Sequence, residues 1–216
     1  MNDIAETSLA VWLSEQPPAL REQWLESLTD QETTDLEHSW AFWARPEQLA
    51  PPGDWLTWLI MAGRGFGKTR TGAEWVRSNI GNYGRWALVG PTAGDVRDIM
   101  VEGESGILAV FPHRERPHYQ PSKKRILFTN GAQAALYSAD EPDRLRGPQH
   151  EAAWADEAAS WRYLQDAWDM LQLGLRLGDN PRQLVTTTPR PLRPIRELVA
   201  AKSTVVTAGK IGRAHV

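Results

Sequence analysis

The chain has 216 residues, of which 41% are hydrophobic and 24% are charged, and its formal net charge is -3 at pH 7. These values are typical of a globular protein with one domain of ordinary size and a small appendage. They exclude a general polyanion binder, so any contact with nucleic acid requires a local basic patch. Cysteine is absent, which excludes disulfides and cysteine-ligated zinc. No apolar run approaches the roughly 18 residues of a membrane span and the N-terminus is unlike a signal peptide, so we expect a cytoplasmic protein with no membrane partner.

The first 45 residues are predicted to form a helical segment. Apolar residues recur at helical spacing over residues 18–28 and 35–44, and Pro51-Pro52-Gly53 is a strong chain break. Eight of the 11 tryptophans lie in the first 86 residues. We interpret them as packing residues rather than as a base-stacking platform, because no Lys or Arg alternates with them. The predicted boundary separates residues 1–45 from an α/β body at residues 46–209.

In that body, short apolar runs alternate with helical patterns. Residues 55–61 predict a buried strand, and a helix over residues 68–79 follows it. Thr92 is a predicted helix cap, and Asn130-Gly131 is a strong hairpin signal. The other predicted strands are 86–89, 125–128, 132–137, 152–155, 183–187 and 204–207. A helical stretch is predicted from the end of the strand at residue 155 to about residue 177, and another helix is predicted over residues 194–201. This alternation predicts an α/β fold with a mostly parallel sheet covered on both faces.

The stretch MAGRGFGKTRTGAEW, residues 61–75, ends a predicted strand and begins a helix. It matches the phosphate-binding pattern G-x-x-x-x-G-K-[ST] except that Ala62 replaces the first glycine. Glycines let backbone N–H groups surround phosphate oxygens, and the helix N-terminus adds a positive end. Lys68 would contact the outer phosphates, and Thr69 would ligate Mg²⁺. We therefore predict a nucleotide-binding loop rather than a chance turn, formed by Gly63, Arg64, Gly65, Phe66, Gly67, Lys68 and Thr69.

A loop that hydrolyses nucleotide also needs a carboxylate at the end of a neighbouring strand. The predicted strand at residues 152–155 ends in Asp156-Glu157. Asp156 would hold Mg²⁺, and Glu157 would accept a proton from the attacking water. An acidic pair is also common in the first turn of a helix. Its position downstream of the predicted phosphate loop favours the hydrolytic role.

Thr186, Thr187 and Thr188 end another predicted strand. A hydroxyl at that point could contact the γ-phosphate and report its loss. Threonine is also common in ordinary strands, so the pattern alone does not establish this role.

Two arginines could act in the same site. Arg64 is either an exposed turn residue or a charge near the γ-phosphate. Arg146 precedes the acidic strand and could stabilise transition-state charge in this site or in a neighbouring subunit's. The residues alone favour a surface arginine with a nearby carboxylate partner for Arg146 and leave both roles open for Arg64.

Together these motifs resemble the ATPase domain of the large subunit of tailed-phage terminase, and related proteins of gene transfer agents. The similarity extends over residues 44–207 and rests on ARPEQLAPPGDWLTWLIMAGRGFGKTRTGAEWV, LRGPQHEAAWADEAA and LVTTTPRP. The resemblance implies a three-layer P-loop NTPase fold of the ASCE, RecA-like type, with a mostly parallel central sheet and an N-terminal helical appendage. It implies an ATPase motor that pumps double-stranded DNA into proheads, with ATP and Mg²⁺ as cofactors.

The resemblance also implies roles for single residues. Arg64 is similar to the loop arginine that couples nucleotide state to movement, and Arg146 to the arginine that reaches into the adjacent subunit's site. Both are therefore expected to be catalytic together with Glu157. Gln48 resembles the adenine-reading glutamine. The remaining matches are Asp156 and Thr69 as magnesium ligands and Thr186, Thr187 and Thr188 as the coupling motif.

The implied partners are duplex DNA, the terminase small subunit, the portal protein and further copies in a ring, expected to be a pentamer. A full large subunit continues into an RNase-H-like nuclease domain, which nothing after Thr207 could supply, so no nuclease activity is expected of this chain. Residues 210–216, KIGRAHV, have a permitted back-translation that resembles a sequencing-library adapter. We therefore interpret them as a non-native tail.

Two other interpretations remain. A helicase-like ATPase could use the same core, although it would need a second RecA-like domain. Alternatively, the chain could bind nucleotide without turnover and pack through its N-terminal helices.

Overall fold

The structure is a computed structural model that describes residues 8–209 and divides them into two compact units, residues 8–50 and 51–209. The division follows Ala50, whereas the sequence placed a boundary after residue 45. The tail at residues 210–216, interpreted as non-native, lies outside the described residues.

The first unit is helical. Between residues 8 and 50 the structure describes four α-helices, and none of their residues is buried. The single helix predicted over residues 35–44 is wrong, because the chain leaves the helix after Glu37 and begins another at Trp40. The indole Nε1 of Trp43 donates to the Leu36 carbonyl at 2.9 Å, which satisfies a carbonyl at the first helix end. The helices are α1 (Leu9–Ser14), α2 (Pro18–Glu26), α3 (Asp30–Glu37) and α4 (Trp40–Trp43), followed by a 3-10 helix at Pro46–Gln48.

The second unit is built on an eight-stranded sheet. Its strands are β1 (Thr57–Ala62), β2 (Arg85–Gly90), β3 (His118–Gln120), β4 (Arg125–Leu127), β5 (Gln133–Ser138), β6 (Ala152–Ala155), β7 (Arg182–Thr187) and β8 (Thr204–Gly209). Their order across the sheet is β3-β4-β5-β2-β6-β7-β1-β8. The six strands from β5 to β8 in this order are parallel, and β4 is antiparallel to both of its neighbours. The mostly parallel sheet is therefore confirmed, and β7 lies between β1 and β6.

Helices connect most of these strands. The α-helices are α5 (Lys68–Asn79), α6 (Ala93–Asp95), α7 (Ile107–Val110), α8 (Leu164–Gly174) and α9 (Arg193–Ala200). A π-helix covers Val96–Val101, and 3-10 turns cover His113–Glu115, Pro121–Lys123, Pro142–Leu145 and Ala158–Ser160. The helix predicted to reach residue 177 ends at Gly174, because Leu175 forms a parallel bridge with His150. No helix within residues 8–209 combines the length and apolar composition needed to span a bilayer.

The sheet has a helical layer on each face. Alternate residues of a strand point to opposite faces. On β1, Trp58 and Ile60 pack in one cluster with Ala73 of α5. Leu59, between them, packs in a second cluster that includes residues of α8 and α9 such as Leu171. The predicted three-layer arrangement follows directly from this alternation.

The tryptophans differ between the two units. Trp58, Trp75 and Trp86 are buried in the second unit, and the rings of Trp75 and Trp86 meet edge to face at 5.2 Å. Trp24 and Trp43 in the first unit keep 36% and 49% of their surface exposed. The packing interpretation is therefore confirmed for the α/β body and applies only partly to the helical unit.

His150 gives the second unit a predictable dependence of stability on pH. The residue is 4% exposed just before β6, and its ring lies against Tyr137 with centroids 5.5 Å apart. Burial, together with the positive charge of Arg85, lowers the pKa of His150 to about 4. The unfolded chain therefore binds the proton more readily, and stability is lost as pH falls from about 6.5 to about 4.

We expect this loss to amount to about 3 kcal/mol. The measurement is urea unfolding from pH 7.5 to pH 4 for the wild type and His150→Gln, in which the titrating ring is gone. As pH falls, the unfolding free energy of the wild type should decrease relative to that of His150→Gln. His118→Gln on β3 is the control, because His118 is exposed. A constant difference between wild type and His150→Gln would contradict the prediction.

Candidate active site

The loop between β1 and α5 has the backbone that the sequence predicted. Gly65 and Gly67 have φ angles of +82° and +85°, a region that favours glycine. Ala62 is the fully buried last residue of β1, and its φ is not positive, so alanine fits where the pattern has glycine. The ring of Phe66 packs on Gly209 of β8, where an added Cβ would lie 2.4 Å from it.

The Lys68 side chain turns back over this loop. Its Nζ donates to the carbonyls of Ala62 at 3.0 Å and Gly63 at 3.3 Å. The same atom lies 3.5 Å from Oε2 of Glu157, and 11% of the Lys68 side chain is exposed. The positive charge is therefore held between the loop and the end of β6.

The acidic pair begins where β6 ends. Asp156 is 7% exposed, and its backbone N–H donates to the Val89 carbonyl at 2.8 Å. Glu157 has φ 46° and ψ 46°, a left-handed conformation that is uncommon for a residue other than glycine. This conformation ends the strand. The Glu157 carboxylate lies near Lys68 on one side and accepts a hydrogen bond from the Thr188 N–H at 2.9 Å on the other.

The threonines at the end of β7 contact both acidic residues. The Thr186 hydroxyl donates to Oδ1 of Asp156 at 2.5 Å, and the Thr188 N–H binds Glu157. Thr187 Oγ1 accepts from the Ala159 N–H at 3.0 Å. Because β7 lies between β1 and β6, the three predicted motifs meet at one edge of the sheet.

Burial dominates the electrostatics of Asp156. The pKa of Asp156 is raised to about 6, chiefly by burial. The Thr186 hydrogen bond and Lys68 lower this pKa, and Glu157 and Asp95 raise it. The folded chain therefore binds this proton more tightly than the unfolded chain, and the contribution to stability falls as pH rises from about 4 to about 6. This slope is opposite in sign to that of His150. A cation beside the ionised carboxylate would offset the desolvation.

A cleft of about 540 Å³ opens beside the loop. Residues of the loop and Glu157 form one wall. The other wall comes from the π-helix and the turn after it, at Asp98, Ile99, Gly103, Glu104 and Ser105. Nothing in the sequence predicts a role for this second wall, because its residues match no motif and depend on the tertiary position of the chain after β2.

Trp154 is a further residue that the sequence analysis missed. It is fully buried on β6, and its indole Nε1 donates to Thr186 Oγ1 at 3.4 Å. The same ring lies against Gly72 of α5, where an added Cβ would be 2.1 Å from Cε2. The indole therefore contacts both the helix after the phosphate loop and the threonine that binds Asp156. The tryptophan in AAWADE was a visible signal, since it precedes the acidic pair by two residues.

We expect Trp154→Phe to weaken magnesium-dependent binding of nucleotide about tenfold, because it removes the donor that orients the Thr186 hydroxyl. The control is Trp58→Phe, since Trp58 is equally buried and also donates to a threonine, Thr207, at 2.9 Å. Calorimetric titration with ADP, with and without Mg²⁺, compares the two variants. Equal effects in both would contradict the prediction.

Three of the predicted site residues take no part in the hydrogen bonds described so far. Arg64 is exposed and lines the cleft with the rest of the loop. Arg146 is exposed after the 3-10 turn Pro142–Leu145 and does not line the cleft. Gln48 belongs to the first unit, where its Oε1 accepts from the Arg45 N–H at 3.1 Å.

The part of the chain that forms this site matches a known protein family. Residues 59–205 match the family model described as terminase large subunit, T4likevirus-type, N-terminal. The chain belongs to this family. Membership confirms the resemblance seen in the motifs and favours the terminase interpretation over a helicase-like ATPase. No sequence match was found among curated proteins.

Solved structures agree with this terminase fold. The large terminase ATPase domain of Thermus phage P74-26 matches with a TM-score of 0.59 and 18% identity, over 83% of this chain and 84% of that one. The large terminase of the thermophilic bacteriophage D6E, in complex with ADP, matches with a TM-score of 0.58 and 14% identity, over 82% of this chain and 44% of that one. The N-terminal domain of the DNA packaging ATPase of bacteriophage phi29 matches with a TM-score of 0.55 and 10% identity, over 73% of this chain and 91% of that one. The chain thus has the P-loop NTPase fold of terminase ATPase domains.

Proposed function

We propose that this terminase domain binds ATP with Mg²⁺ and hydrolyses it to drive duplex DNA through a packaging motor. One observation supports this most directly. The strand order brings Lys68, Asp156, Glu157 and the end of β7 to one edge of the sheet, with Lys68 Nζ 3.5 Å from the Glu157 carboxylate. The D6E terminase was solved with ADP, which supports nucleotide as the ligand.

The residues present fit a nucleotide-bound magnesium ion. Mg²⁺ is usually held by one or two protein oxygens together with phosphates and water. Thr69, in the first turn of α5, and Asp156, buried with a raised pKa, are the residues that would hold it. When bound, the ion would neutralise charge on the outer phosphates.

Each side chain has a separate task in this proposal. The loop N–H groups and Lys68 bind the phosphates, and Arg64 adds charge at the mouth of the cleft. Glu157 accepts a proton from the attacking water, and its position is fixed by the Thr188 N–H. Thr186 holds Asp156 in place. The threonines thereby couple the state of the site to the movement of β7.

Arg146 is proposed to act in a neighbouring copy. Its exposed position outside the cleft fits an arginine that completes another subunit's site rather than its own. This proposal requires a ring of copies, and it extends to the portal protein and the small subunit as partners. Gln48 is proposed to contact adenine. The second candidate is a chain that binds nucleotide without turnover, and the position of Arg146 supports it if the copies do not assemble.

The test is ATP hydrolysis over a hundredfold range of protein concentration, beside binding of ADP. Lys68→Ala should abolish both binding and turnover, because it removes the charge that meets the phosphates. Lys123→Ala, an exposed lysine in the 3-10 turn before β4, is the charge-matched control. Specific activity that rises with concentration and is lost in Arg146→Ala supports action between copies. Nucleotide affinity unchanged in Lys68→Ala would overturn the proposed site.

A further inference from the structure

Beyond the site, the ends of β6 and β7 continue into two arginine-containing segments, residues 158–163 and 188–200. These segments contain four arginines and one acidic residue, so their net charge is +3 in a chain whose total is -3. The four are Arg162, Arg190, Arg193 and Arg196. All are exposed. This is the local basic patch that the overall charge requires of a protein that contacts nucleic acid.

The two segments touch each other. Nη1 of Arg190 donates to the Ala159 carbonyl at 3.4 Å, which joins the chain after β7 to the turn after β6. Nη2 of Arg196 donates to the Pro191 carbonyl at 2.8 Å. A guanidinium has five N–H donors, so one carbonyl bond orients each group and leaves other donors for a ligand.

Arg190 and Arg196 line one groove. Its volume is about 360 Å³, and its other lining residues are Met61, Pro189, Pro191, Ile195 and Val199. We define the arginine groove as this groove. Arg162 is left out because it does not line the groove, and its guanidinium lies 5.1 Å from the centre of the Tyr163 ring. Arg193 is left out because its Nε binds Glu197 at 2.7 Å.

We propose that the arginine groove contacts the phosphate backbone of duplex DNA. The inference rests on the proposed motor function, for which it identifies the DNA-contacting surface. Guanidinium groups bind phosphate oxygens in a bidentate manner, and such contacts are independent of base sequence, as translocation of any DNA requires. Charge complementarity decides the ligand, because Arg190 and Arg196 both line this groove in a chain whose net charge is -3. The groove is also continuous with β7, since Arg190 follows Thr188 by two residues.

The experiment measures binding of the full chain to a fluorescent duplex of about 30 base pairs over a salt series. Non-specific affinities of this kind are about 10⁻⁴–10⁻⁶ M at physiological salt, so the titration begins at low salt. We expect Arg190→Ala/Arg196→Ala to weaken binding about tenfold and to reduce the slope of log K against log salt by about 2, because each lost phosphate contact removes about one unit. Arg190→Lys/Arg196→Lys should recover most of the salt slope, since the charges return.

The matched control is Arg114→Ala/Arg116→Ala, which removes the same charge from exposed positions around the turn before β3. Equal losses in both alanine pairs would overturn the proposal in favour of a general charge effect. Absence of DNA binding by the unaltered chain at low salt would overturn it too, and would favour a protein partner for the groove. Nucleotide affinity of each pair is measured beside DNA binding. Failure of Lys68→Ala to change nucleotide affinity would refute the ATPase site without affecting the DNA result, so the two proposals fail separately.

Discussion

Glu157→Gln is expected to lower the turnover of ATP by at least about 100-fold while nucleotide affinity stays within about threefold, as for loss of a general base. The amide keeps the size of the side chain but cannot accept a proton from water. It can still accept the hydrogen bond from the Thr188 N–H, so the local backbone should be preserved. Removing the negative charge 3.5 Å from Lys68 also leaves that lysine more available to phosphate, which is why affinity should not fall.

Single-turnover hydrolysis and titration with Mg²⁺ and ADP measure the two quantities separately. Glu104→Gln is the control, because Glu104 belongs to the opposite wall of the same cleft and contacts neither β6 nor β7 through a hydrogen bond within residues 8–209. Its turnover should change less than threefold, a difference of under about 0.7 kcal/mol in the barrier. If the two variants lose turnover to the same degree, the assignment of Glu157 as the general base is wrong.

Gly72→Ala is expected to destabilise the α/β body by about 3 kcal/mol, although alanine is the better helix former by about 1 kcal/mol. The reason is steric. A Cβ at this position would lie 2.1 Å from Cε2 and 2.3 Å from Cζ2 of the Trp154 indole, and neither α5 nor β6 can move without disturbing the core. The displaced ring would also lose its bond to Thr186, so nucleotide binding should weaken along with stability.

Chemical unfolding compares Gly72→Ala with Gly81→Ala, a glycine just beyond α5 whose added Cβ would meet nothing within 4 Å. The second substitution should be neutral or slightly stabilising. Adding Trp154→Phe to Gly72→Ala should recover part of the lost stability, because the phenyl ring lacks the indole atoms that clash. Additive effects in this double variant would show that the two residues do not meet as described.

The sequence predicted those parts of the site whose chemistry is local. Gly65, Gly67 and Lys68 follow one another in a loop whose backbone requires glycine, so the pattern alone defined the geometry. The strand before Asp156 was visible as a short apolar run. Helix α5 was predicted with its observed bounds, residues 68–79, because the loop defines its start.

Other features depend on tertiary contacts that periodicity does not reveal. The far wall of the cleft, at Ile99 and Ser105, exists only because the chain after β2 folds over the loop. Strand β3 has three residues, too few for an alternating pattern. The helical stretch expected after Glu157 begins as a 3-10 turn at Ala158–Ser160 and becomes an α-helix only at Leu164. The hydrogen bond from Trp154 to Thr186 likewise joins residues 32 positions apart in the sequence.

The end of β7 has a mechanical consequence for the proposed motor. Thr186 and Thr188 bind Asp156 and Glu157, the two acidic residues that follow β6, and β7 is hydrogen-bonded to β1 on its other side. The first arginine of the arginine groove, Arg190, follows Thr188 by only two residues. A displacement of this strand end would therefore move the Asp156 and Glu157 carboxylates and the Arg190 guanidinium together. In the proposed motor, two residues of extended chain, less than about 7 Å, would separate the threonine that binds the general base from the arginine that contacts DNA.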